Sequence, residues 1–426
     1  MARRETATGG RRATDAVVPG IASLSIGRPT TLPEPDGFAW TPLSEVARLE
    51  SGHTPSRSRP DYWDDGIPWV GIRDATGNHG RVIFDTDQHV SQSGIDNSSA
   101  RLLPTGTVCL SRTASVGYVV QLGRPMATSQ DFVNWVCGPG LNPNYLRYLL
   151  MSESDSVRRF AHGSVHATMY YPDAKALHGL LPSPTEQQAV AEVLGSLDDK
   201  IAANSALAET VDRYLATLLE ELLGQTPDKT NLGHIAAVNE LAVKPIVGGQ
   251  LRYVDIASVG VGVFEYPSVT DWDEAPGRAR RALRRGDVIW STVRPNRRSH
   301  ALNLADDPML VASTGLAVLT PKRVGFAYLY EVTKRPDFTA YLENVAEGSA
   351  YPAVRADRFL GAPAPAASAE VIEGFELIAA PLREAVFATS EENRTLAATR
   401  DALLPHLMSG RLRVRDAEAA ASAAGS

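Results

Sequence analysis

The sequence repeats itself weakly but in order, at an offset of about 184–189 residues. The clearest matches are Leu103-Pro-Thr-Gly106-Thr-Val108 with Leu283-Arg-Arg-Gly286-Asp-Val288, Gly163-Ser164 with Gly348-Ser349, and Asn204-x-x-Leu207-Ala208 with Asn393-x-x-Leu396-Ala397. Collinear pairs at nearly one offset are hard to obtain by chance. The sequence therefore predicts two copies of one unit, each a globular domain of about 145 residues followed by a long helix.

Two long segments have the periodicity of coiled-coil helices. Between Leu194 and Leu222, apolar or small residues recur at alternating steps of three and four, with Asn204 at the polar position. Flanking Pro and Gly residues predict one helix from Thr185 to about Leu223, and the repeat predicts its second copy from about Glu370 to Met408. Each helix has a narrow apolar seam, so we expect the two to pack against each other, with Asn204 setting the register. Intermolecular dimerisation through the same seam is the alternative.

Outside these helices, short apolar runs bounded by Gly, Pro, Asn and Asp predict strands and turns. The predicted fold class is α+β: two tandem β-rich domains separated by two long antiparallel, coiled-coil-like helices, in a pseudo-twofold internal repeat. The predicted divisions are a disordered leader at 1–36, a first globular domain at 37–184, a first helix at 185–224, a second domain at 225–369, a second helix at 370–415 and a disordered tail at 416–426.

Charge gives a mixed indication about nucleic acid. The formal net charge of −7 argues mildly against such a partner. Local clustering matters more than the total, and the stretch 278–298 holds eight arginines and one acid. It brackets an apolar strand and ends in a loop, an arrangement suited to reading phosphate or guanine, although a solvated face is the alternative. With no run of about 20 apolar residues, we expect no membrane span and a cytoplasmic protein.

Several fragments resemble parts of enzymes but are incomplete. Asn142-Pro143-Asn144-Tyr145 is close to the box with which amino-methyltransferases hold a flipped base, yet its third residue differs and no Phe-x-Gly-x-Gly cofactor loop occurs. Asp198 and Asp199 fall on the first long helix, where we interpret them as solvated, with Lys200 as an intrahelical partner. No phosphate-binding loop or metal-ligand spacing is present. The sequence predicts no catalytic residue, cofactor or metal.

Two stretches resemble the specificity (S) subunit of type I restriction–modification systems. LLPSPTEQQAVAEVLGSLDDKIAANSALAETVDRYLATLLEELL, from Leu180, is similar to the family's first helical region, and LLPHLMSGRLRV, from Leu403, to its closing signature. SGHTPSRSRPDYW and GIPWVGIRD also match the pattern of a target-recognition domain. The second copy departs from the pattern, since it reads AVKPIVGGQLRYVDI and its helix lacks the Glu-Gln start.

The resemblance implies a non-catalytic subunit that binds double-stranded DNA. Each globular domain would be a target-recognition domain that reads one half of a bipartite site. The helices would set the spacing between the halves and dock two methyltransferase subunits, and a translocase–nuclease subunit would join for restriction. A non-catalytic two-module adaptor that does not bind DNA is the alternative. The residues predicted for subunit docking are Leu194, Leu197, Ile201, Asn204, Leu215, Leu396, Leu403 and Leu407.

Loops rich in hydroxyls, amides and arginine are the predicted DNA contacts, because such groups reach phosphates and base edges. In the first copy they are Thr54, Ser56, Ser111, Arg112, Ser115, Ser129, Gln130, Gly163, Ser164, His166, Thr168 and Tyr170. In the second copy they are Ser291, Arg294, Asn296, Arg297, Arg298, Ser313, Thr314, Gly348, Ser349 and Tyr351. The three arginines of the second copy are the strongest candidates for guanine or phosphate.

Overall fold

The computed structural model describes residues 12–163, 166–224, 229–349 and 351–414. It divides into two compact units. Unit 1 is Met1–Ile201 together with Thr395–Ser426, and unit 2 is Ala202–Arg394. The boundary between the units therefore falls inside both of the long helices that the sequence predicts.

Unit 1 alternates short strands with short helices. Its elements are β1 (Val18–Pro19), β2 (Leu24–Ile26), β3 (Phe38–Pro42), α1 (Leu43–Val46), β4 (Ala47–Ser51), β5 (Trp63–Val70), α2 (Ile72–Gly77), β6 (Val82–Ile83), β7 (His89–Val90), α3 (Gln92–Asp96), β8 (Val108–Ser111), β9 (Val119–Leu122), β10 (Ala127–Thr128), β11 (Phe132–Cys137), α4 (Pro143–Ser152), α5 (Ser154–Arg159), α6 (Tyr171–Lys175) and β12 (Leu177–Pro182).

The core of unit 1 lies between a five-stranded sheet and helix α4. The strand order is β4-β11-β8-β9-β6, and all four residues of the central strand β8 are buried. Tyr145 and Leu149 of α4 share one apolar cluster with Val108 and Trp135 of the sheet. Helix α4 begins at Pro143 because Asn142 caps it, its Oδ1 accepting from the Tyr145 backbone N at 3.1 Å. The methyltransferase-like fragment is thus a capped helix start.

The prediction of a disordered leader is wrong for residues 18–26. β1 pairs with β2, and β2 pairs with β12, in a four-stranded sheet of order β1-β2-β12-β3. Leu24 and Ile26 are buried in the unit 1 core. These two residues anchor the segment to the core. The overall composition of residues 1–36, rich in Arg, Thr and Gly, gives no indication of them. Residues 1–11 and the predicted tail at 416–426 lie outside the described residues.

Two helices of 40 residues each run from one unit into the other along the chain. They are α7 (Pro184–Leu223) and α10 (Ala369–Met408), which confirms both predicted helices. Helix α10 continues through Pro381 and Pro405. Within the described ranges, no helix is long and apolar enough to cross a membrane.

Unit 2 follows part of the element order of unit 1. Its elements outside the long helices are β13 (Lys229–Asn231), β14 (Ala236–Val238), β15 (Gln250–Val254), β16 (Val269–Asp271), β17 (Ala279–Ala282), β18 (Val288–Ser291), β19 (His300–Leu302), β20 (Leu310–Ser313), β21 (Leu316–Pro321), α8 (Phe326–Lys334), α9 (Pro336–Asn344) and β22 (Pro363–Pro365). β18 pairs antiparallel with β21 as β8 does with β11, and β15 pairs parallel with β20 as β5 does with β10. The internal repeat predicted from the sequence is therefore visible as the same strand pairing in the two units.

The long helices pack antiparallel within each unit. In unit 1, Leu194 of α7 shares a buried cluster with Leu404 and Leu407 of α10. In unit 2, Leu215 of α7 shares one with Phe375 of α10. The first half of one helix thus meets the second half of the other, and the predicted intramolecular, antiparallel pairing is confirmed. Burial of apolar seam residues stabilises such a pair by roughly 1.5–3 kcal/mol for each large side chain.

Asn204 occupies the polar position of the seam and is buried. Its Nδ2 donates to Oδ1 of Asn393 at 2.8 Å and to Oε2 of Glu392 at 2.8 Å. Asn204 and Asn393 are the matching residues of the two sequence copies. A buried amide that is satisfied at only one alignment of two helices fixes their register.

The long helices also bind the start of one short helix in each unit. In unit 1, Oε1 of Gln187 accepts from the backbone N of Asn142 at 2.9 Å. In unit 2, Glu376 accepts from the backbone N of Ala327 at 3.1 Å and of Tyr328 at 2.9 Å. Free N–H groups at a helix start need acceptors. The second helix lacks the Glu-Gln start, but Glu376 performs the corresponding role.

Candidate nucleic-acid interface

Each unit places two loops side by side at the end of a buried strand. In unit 1, Thr113 and His162 both form β-bridges with Thr168. In unit 2, Val293 and Glu347 both form them with Ala353. The first loop follows β8 or β18, and the second is the loop of the Gly-Ser step. We call this arrangement the paired-loop frame, and it brings together most of the predicted contact residues.

The Gly-Ser loops turn tightly at their glycines. Gly163 has φ +113° and Gly348 has φ +93°, a region that glycine adopts without a steric penalty. A Cβ on Gly163 would lie 2.8 Å from the carbonyl oxygen of His166. Gly163, Gly348 and Ser349 are exposed, whereas Ser164 lies outside the described residues.

Four of the predicted serine contacts are instead buried turn formers. The hydroxyl of Ser111 donates to the Ser115 carbonyl and accepts from the Tyr118 backbone N, and Ser291 donates to the Val293 carbonyl at 2.9 Å. Ser129 accepts from the backbone N of Asp131, and Ser313 from that of Gly315. All four serines are at most 3% exposed: Ser111, Ser129, Ser291 and Ser313. Their hydroxyls shape the loops, so direct DNA contact by these side chains is not available.

The remaining candidates of unit 1 form one surface group. Thr54 donates to Oε1 of Gln130, and Nε of Arg112 donates to the Gln130 carbonyl at 3.2 Å. Nη1 of Arg112 also donates to the Met169 carbonyl at 3.4 Å, which joins this group to the Gly-Ser loop. Around it, Ser56, Gln130, His166 and Tyr170 are exposed, and Thr54, Ser115 and Thr168 are half-buried.

A further arginine of unit 1 was missed by the sequence reasoning. The guanidinium of Arg57 lies 3.6 Å from the ring centroid of Trp63 and 5.1 Å from that of Trp69. Its Nη2 donates to Oε1 of Gln88 at 2.8 Å. The signal was present, because Arg57 stands between Thr54 and Trp63 in the stretch that resembles the family. An exposed arginine held over an aromatic ring is suited to stack on or bond to a base.

In unit 2 the three predicted arginines have different surroundings. The guanidinium of Arg294 lies 4.7 Å from the ring centroid of Tyr351, which is exposed. Nη2 of Arg298 donates to the Lys334 carbonyl at 2.8 Å, so this side chain holds the loop to the end of α8. Arg297, Asn296 and Thr314 are exposed.

The arginine-rich stretch is therefore not one basic patch. Arg284 pairs with Glu240 at 3.1 Å, and Arg285 pairs with Glu384 of α10 at 2.6 Å. Arg281 is half-buried, and burial lowers its pKa. Arg284 and Arg285 are thus engaged in ion pairs within unit 2, whereas the loop at 294–298 lies beside the Gly-Ser loop.

The residues predicted for subunit docking belong mostly to the seam. Leu194, Leu215 and Leu407 are at most 2% exposed, and Asn204 is buried as well. The structure places these four in the intramolecular seam, where α7 and α10 cover them within the chain, and their part in docking another subunit stays a prediction. The half-buried members of the set are Leu197, Ile201, Leu396 and Leu403.

Comparison with known proteins finds one family that the first half of this chain resembles. Residues 35–213 match the family model described as the type I restriction modification DNA specificity domain. This stretch runs from just before β3 to β12 of unit 1 and includes most of α7. Residues 35–213 are thus similar to a type I DNA specificity domain, and the resemblance predicted from the sequence is confirmed.

Individual relatives agree with the family model. The chain is 27% identical over 180 residues to the type I restriction enzyme MjaIX specificity subunit of Methanocaldococcus jannaschii, and 25% identical over 171 residues to the EcoR124I/EcoR124II specificity subunit of Escherichia coli. These matches span 42% and 40% of the relatives' lengths. The crystal structure of a type I S subunit from M. genitalium shares the fold with a TM-score of 0.58 at 16% identity, covering 88% of this chain and 98% of that one.

Proposed function

We propose that this chain is the DNA-sequence specificity subunit of a type I restriction–modification complex, in which each unit reads one half of a bipartite site in double-stranded DNA. The match of residues 35–213 to a specificity domain carries the proposal. The paired-loop frame in unit 2 supports a second reading module, because it presents the same loops with different side chains. Variable side chains on a constant frame are what sequence-specific readers require.

The two long helices set the distance between the half-sites and dock the partner subunits. Their register is held by the bond between Asn204 and Asn393, so the number of unread base pairs is constant. Two methyltransferase subunits bind the outer faces of the helices, where Leu207, Tyr214 and Leu377 are 44%, 49% and 79% exposed. A translocase–nuclease subunit joins for restriction. The chain itself is non-catalytic, and it acts on DNA in the cytoplasm.

Mapping of modified adenines tests this function. The chain is expressed with its cognate methyltransferase subunit in a host that lacks DNA methylation, and the genome is read for modified bases. We expect one bipartite motif with a constant spacer. Exchange of unit 2 loops should change only one half of the motif.

A variant at the proposed docking surface tests the contact with the methyltransferase subunit. Leu207→Ala, on the outer face of α7, should weaken co-purification of the methyltransferase subunit without changing the motif that remains. A stable complex of the two proteins that leaves no modification would contradict the proposal and favour a two-module adaptor.

A further inference from the structure

The first loop of the paired-loop frame begins with the same hydrogen bond and backbone turn in both units but has a different side chain at the matching position. The backbone N of Ala114 donates to the Ala167 carbonyl at 3.0 Å, and that of Arg294 donates to the Pro352 carbonyl at 2.7 Å. Both residues adopt the left-handed backbone conformation, with φ of +59° at Ala114 and +51° at Arg294. They therefore occupy corresponding positions, one with a methyl group and one with a guanidinium.

An arginine in this conformation carries backbone strain. Among the described residues, four other than glycine have positive φ, and Arg294 and Arg298 are two of them. They flank the short turn Pro295–Arg297. Glycine or asparagine would adopt this backbone more easily. Strain of this kind persists only where the surrounding structure holds the residue in place, and it is found most often at functional sites.

The guanidinium of Arg294 has a platform on the neighbouring loop. It lies 4.7 Å from the ring centroid of Tyr351, which is 69% exposed. A guanidinium held over a ring keeps its fork of N–H donors in a set orientation. The preferred planar target of that fork in the major groove is O6 and N7 of guanine, with phosphate as the less specific alternative.

We propose that Arg294, positioned by Tyr351, reads a G·C base pair in the half-site of unit 2, and that unit 1, with Ala114 at the corresponding position, does not make this contact. The proposal rests on the proposed DNA-reading function. It assigns to one residue a difference in base preference between the two halves of the site.

Selection from a pool of random-sequence duplexes tests the proposal with the full-length chain. The bound duplexes are sequenced for the wild type and for Arg294→Ala, Arg294→Lys and Arg294→Gly. We expect all three variants to lose one G·C preference in one half of the motif and to keep the other half. Affinity for the wild-type site should fall roughly 5- to 150-fold, whereas sites already lacking that G·C pair should be bound nearly unchanged.

Arg294→Gly separates recognition from folding, because glycine relieves the strain at φ +51°. Its thermal unfolding temperature should equal or exceed that of the wild type while the G·C preference is lost. Arg297→Ala in the same turn is the matched control, expected to keep the motif and to reduce the salt dependence of binding by a slope of about 1 if it contacts a phosphate.

Two results would overturn the assignment. One is an unchanged motif in the Arg294 variants together with a uniform loss of affinity and a reduced salt slope, which would make Arg294 a phosphate contact only. The other is a G·C preference that Arg294→Lys retains in full. If the wild type selects no motif, the proposed DNA-reading function itself fails, and this outcome is distinct from both.

Discussion

Both units anchor a short helix to the long helices through a buried charge, and the two short helices contribute opposite signs: Arg147 of α4 in unit 1 and Glu331 of α8 in unit 2. In unit 1, the carboxylate of Asp198 on α7 lies between two arginines, with Nη1 of Arg400 at 2.8 Å and Nη1 of Arg147 at 3.5 Å. The hydroxyl of Tyr148 donates to the same carboxylate at 2.6 Å. Asp198 is thus an anchor to α4, and the interpretation of it as a solvated residue is wrong.

In unit 2, an arginine takes the central place. Arg383 of α10 pairs with Glu331 of α8 and lies 2.5 Å from Asp212 of α7, and Nζ of Lys334 is 2.9 Å from Asp212. Burial alone would raise the pKa of Asp212, but Arg383 and Lys334 outweigh it and lower that pKa.

The difference shows how one fold can be used twice in a chain without mispairing. If the segment of α10 that carries Arg383 packed in unit 1 instead, Arg383 would be buried beside Arg147 of α4. Burying two like charges together costs several kcal/mol. The opposite signs therefore favour the pairing of each long-helix segment with its own unit. Apolar seams of similar length could not make this distinction alone.

Removal of the central charge in unit 2 is expected to have the largest effect. Arg383→Met leaves the carboxylate of Glu331, which is 1% exposed, without its main partner. We expect a loss of about 3–5 kcal/mol in the free energy of unfolding, measured by urea denaturation. Arg158→Met, which breaks an exposed pair with Asp155, is the control and should cost at most about 1 kcal/mol. Equal losses in the two variants would contradict the role of the buried anchor.

Acid should weaken unit 2 through His300. Burial lowers the pKa of His300 to about 4 from an ordinary value of 6.5. The hydrogen bond to the Arg298 carbonyl and Asp212 oppose this shift, while Lys334 and the Arg298 guanidinium add to it. The folded state binds fewer protons than the unfolded state between these values, so the contribution is complete above pH 6.5 and is lost as the pH falls towards 4. The whole contribution of His300 to the free energy of unfolding is about 3 kcal/mol.

Urea denaturation of the wild type and of His300→Gln between pH 7 and pH 4 measures this contribution. The variant keeps a side-chain donor but does not titrate, so its stability should depend less on pH. Burial also lowers the pKa of His79 in unit 1. The His300→Gln variant should therefore keep part of the pH dependence of stability and lose the rest. Parallel pH profiles for the wild type and the variant would argue against His300 as the source.

The anchor of unit 1 should be weaker than that of unit 2. Asp198→Ala leaves Arg147 buried, but Asp198 itself is 21% exposed, so water compensates part of the loss. We expect a cost of about 2 kcal/mol, less than for a fully buried pair. The neighbouring exposed Asp199→Ala should change stability by no more than about 0.5 kcal/mol. An Asp198 variant that loses more stability than Arg383→Met would reverse the ranking of the two anchors.

The smallest effect is expected at the seam. Asn204→Leu alone leaves Asn393 without one of its amide partners and should cost about 1 kcal/mol. The double variant Asn204→Leu, Asn393→Leu should recover this loss, because apolar residues pack in the seam. A double-mutant cycle by urea denaturation gives the coupling energy. Additive losses would show that the two amides do not act together.

The sequence predicted the elements whose signals are local. Periodicity and the internal repeat predicted the first residue of each long helix to within one position. They also placed Asn204 at the register position. The strand at Val108–Ser111 and the cap at Asn142 are local in the same sense, because each depends on residues a few positions away.

The contact residues were less predictable, because exposure depends on distant partners. Serine hydroxyls suit DNA equally well wherever they occur in a loop, and only the folded chain shows that Ser111 and Ser313 are buried. Arg285 could not be separated from Arg294 by composition, since its partner Glu384 lies 99 residues away.

The sequence by itself thus determined the repeat, the two helices and the family resemblance, all of which follow from spacing along the chain. The tertiary structure alone decided which arginines face outward, which leucines are covered and which charges join each unit to the long helices. Burial and pairing are set by residues that approach each other only after folding, and no local pattern contains that information.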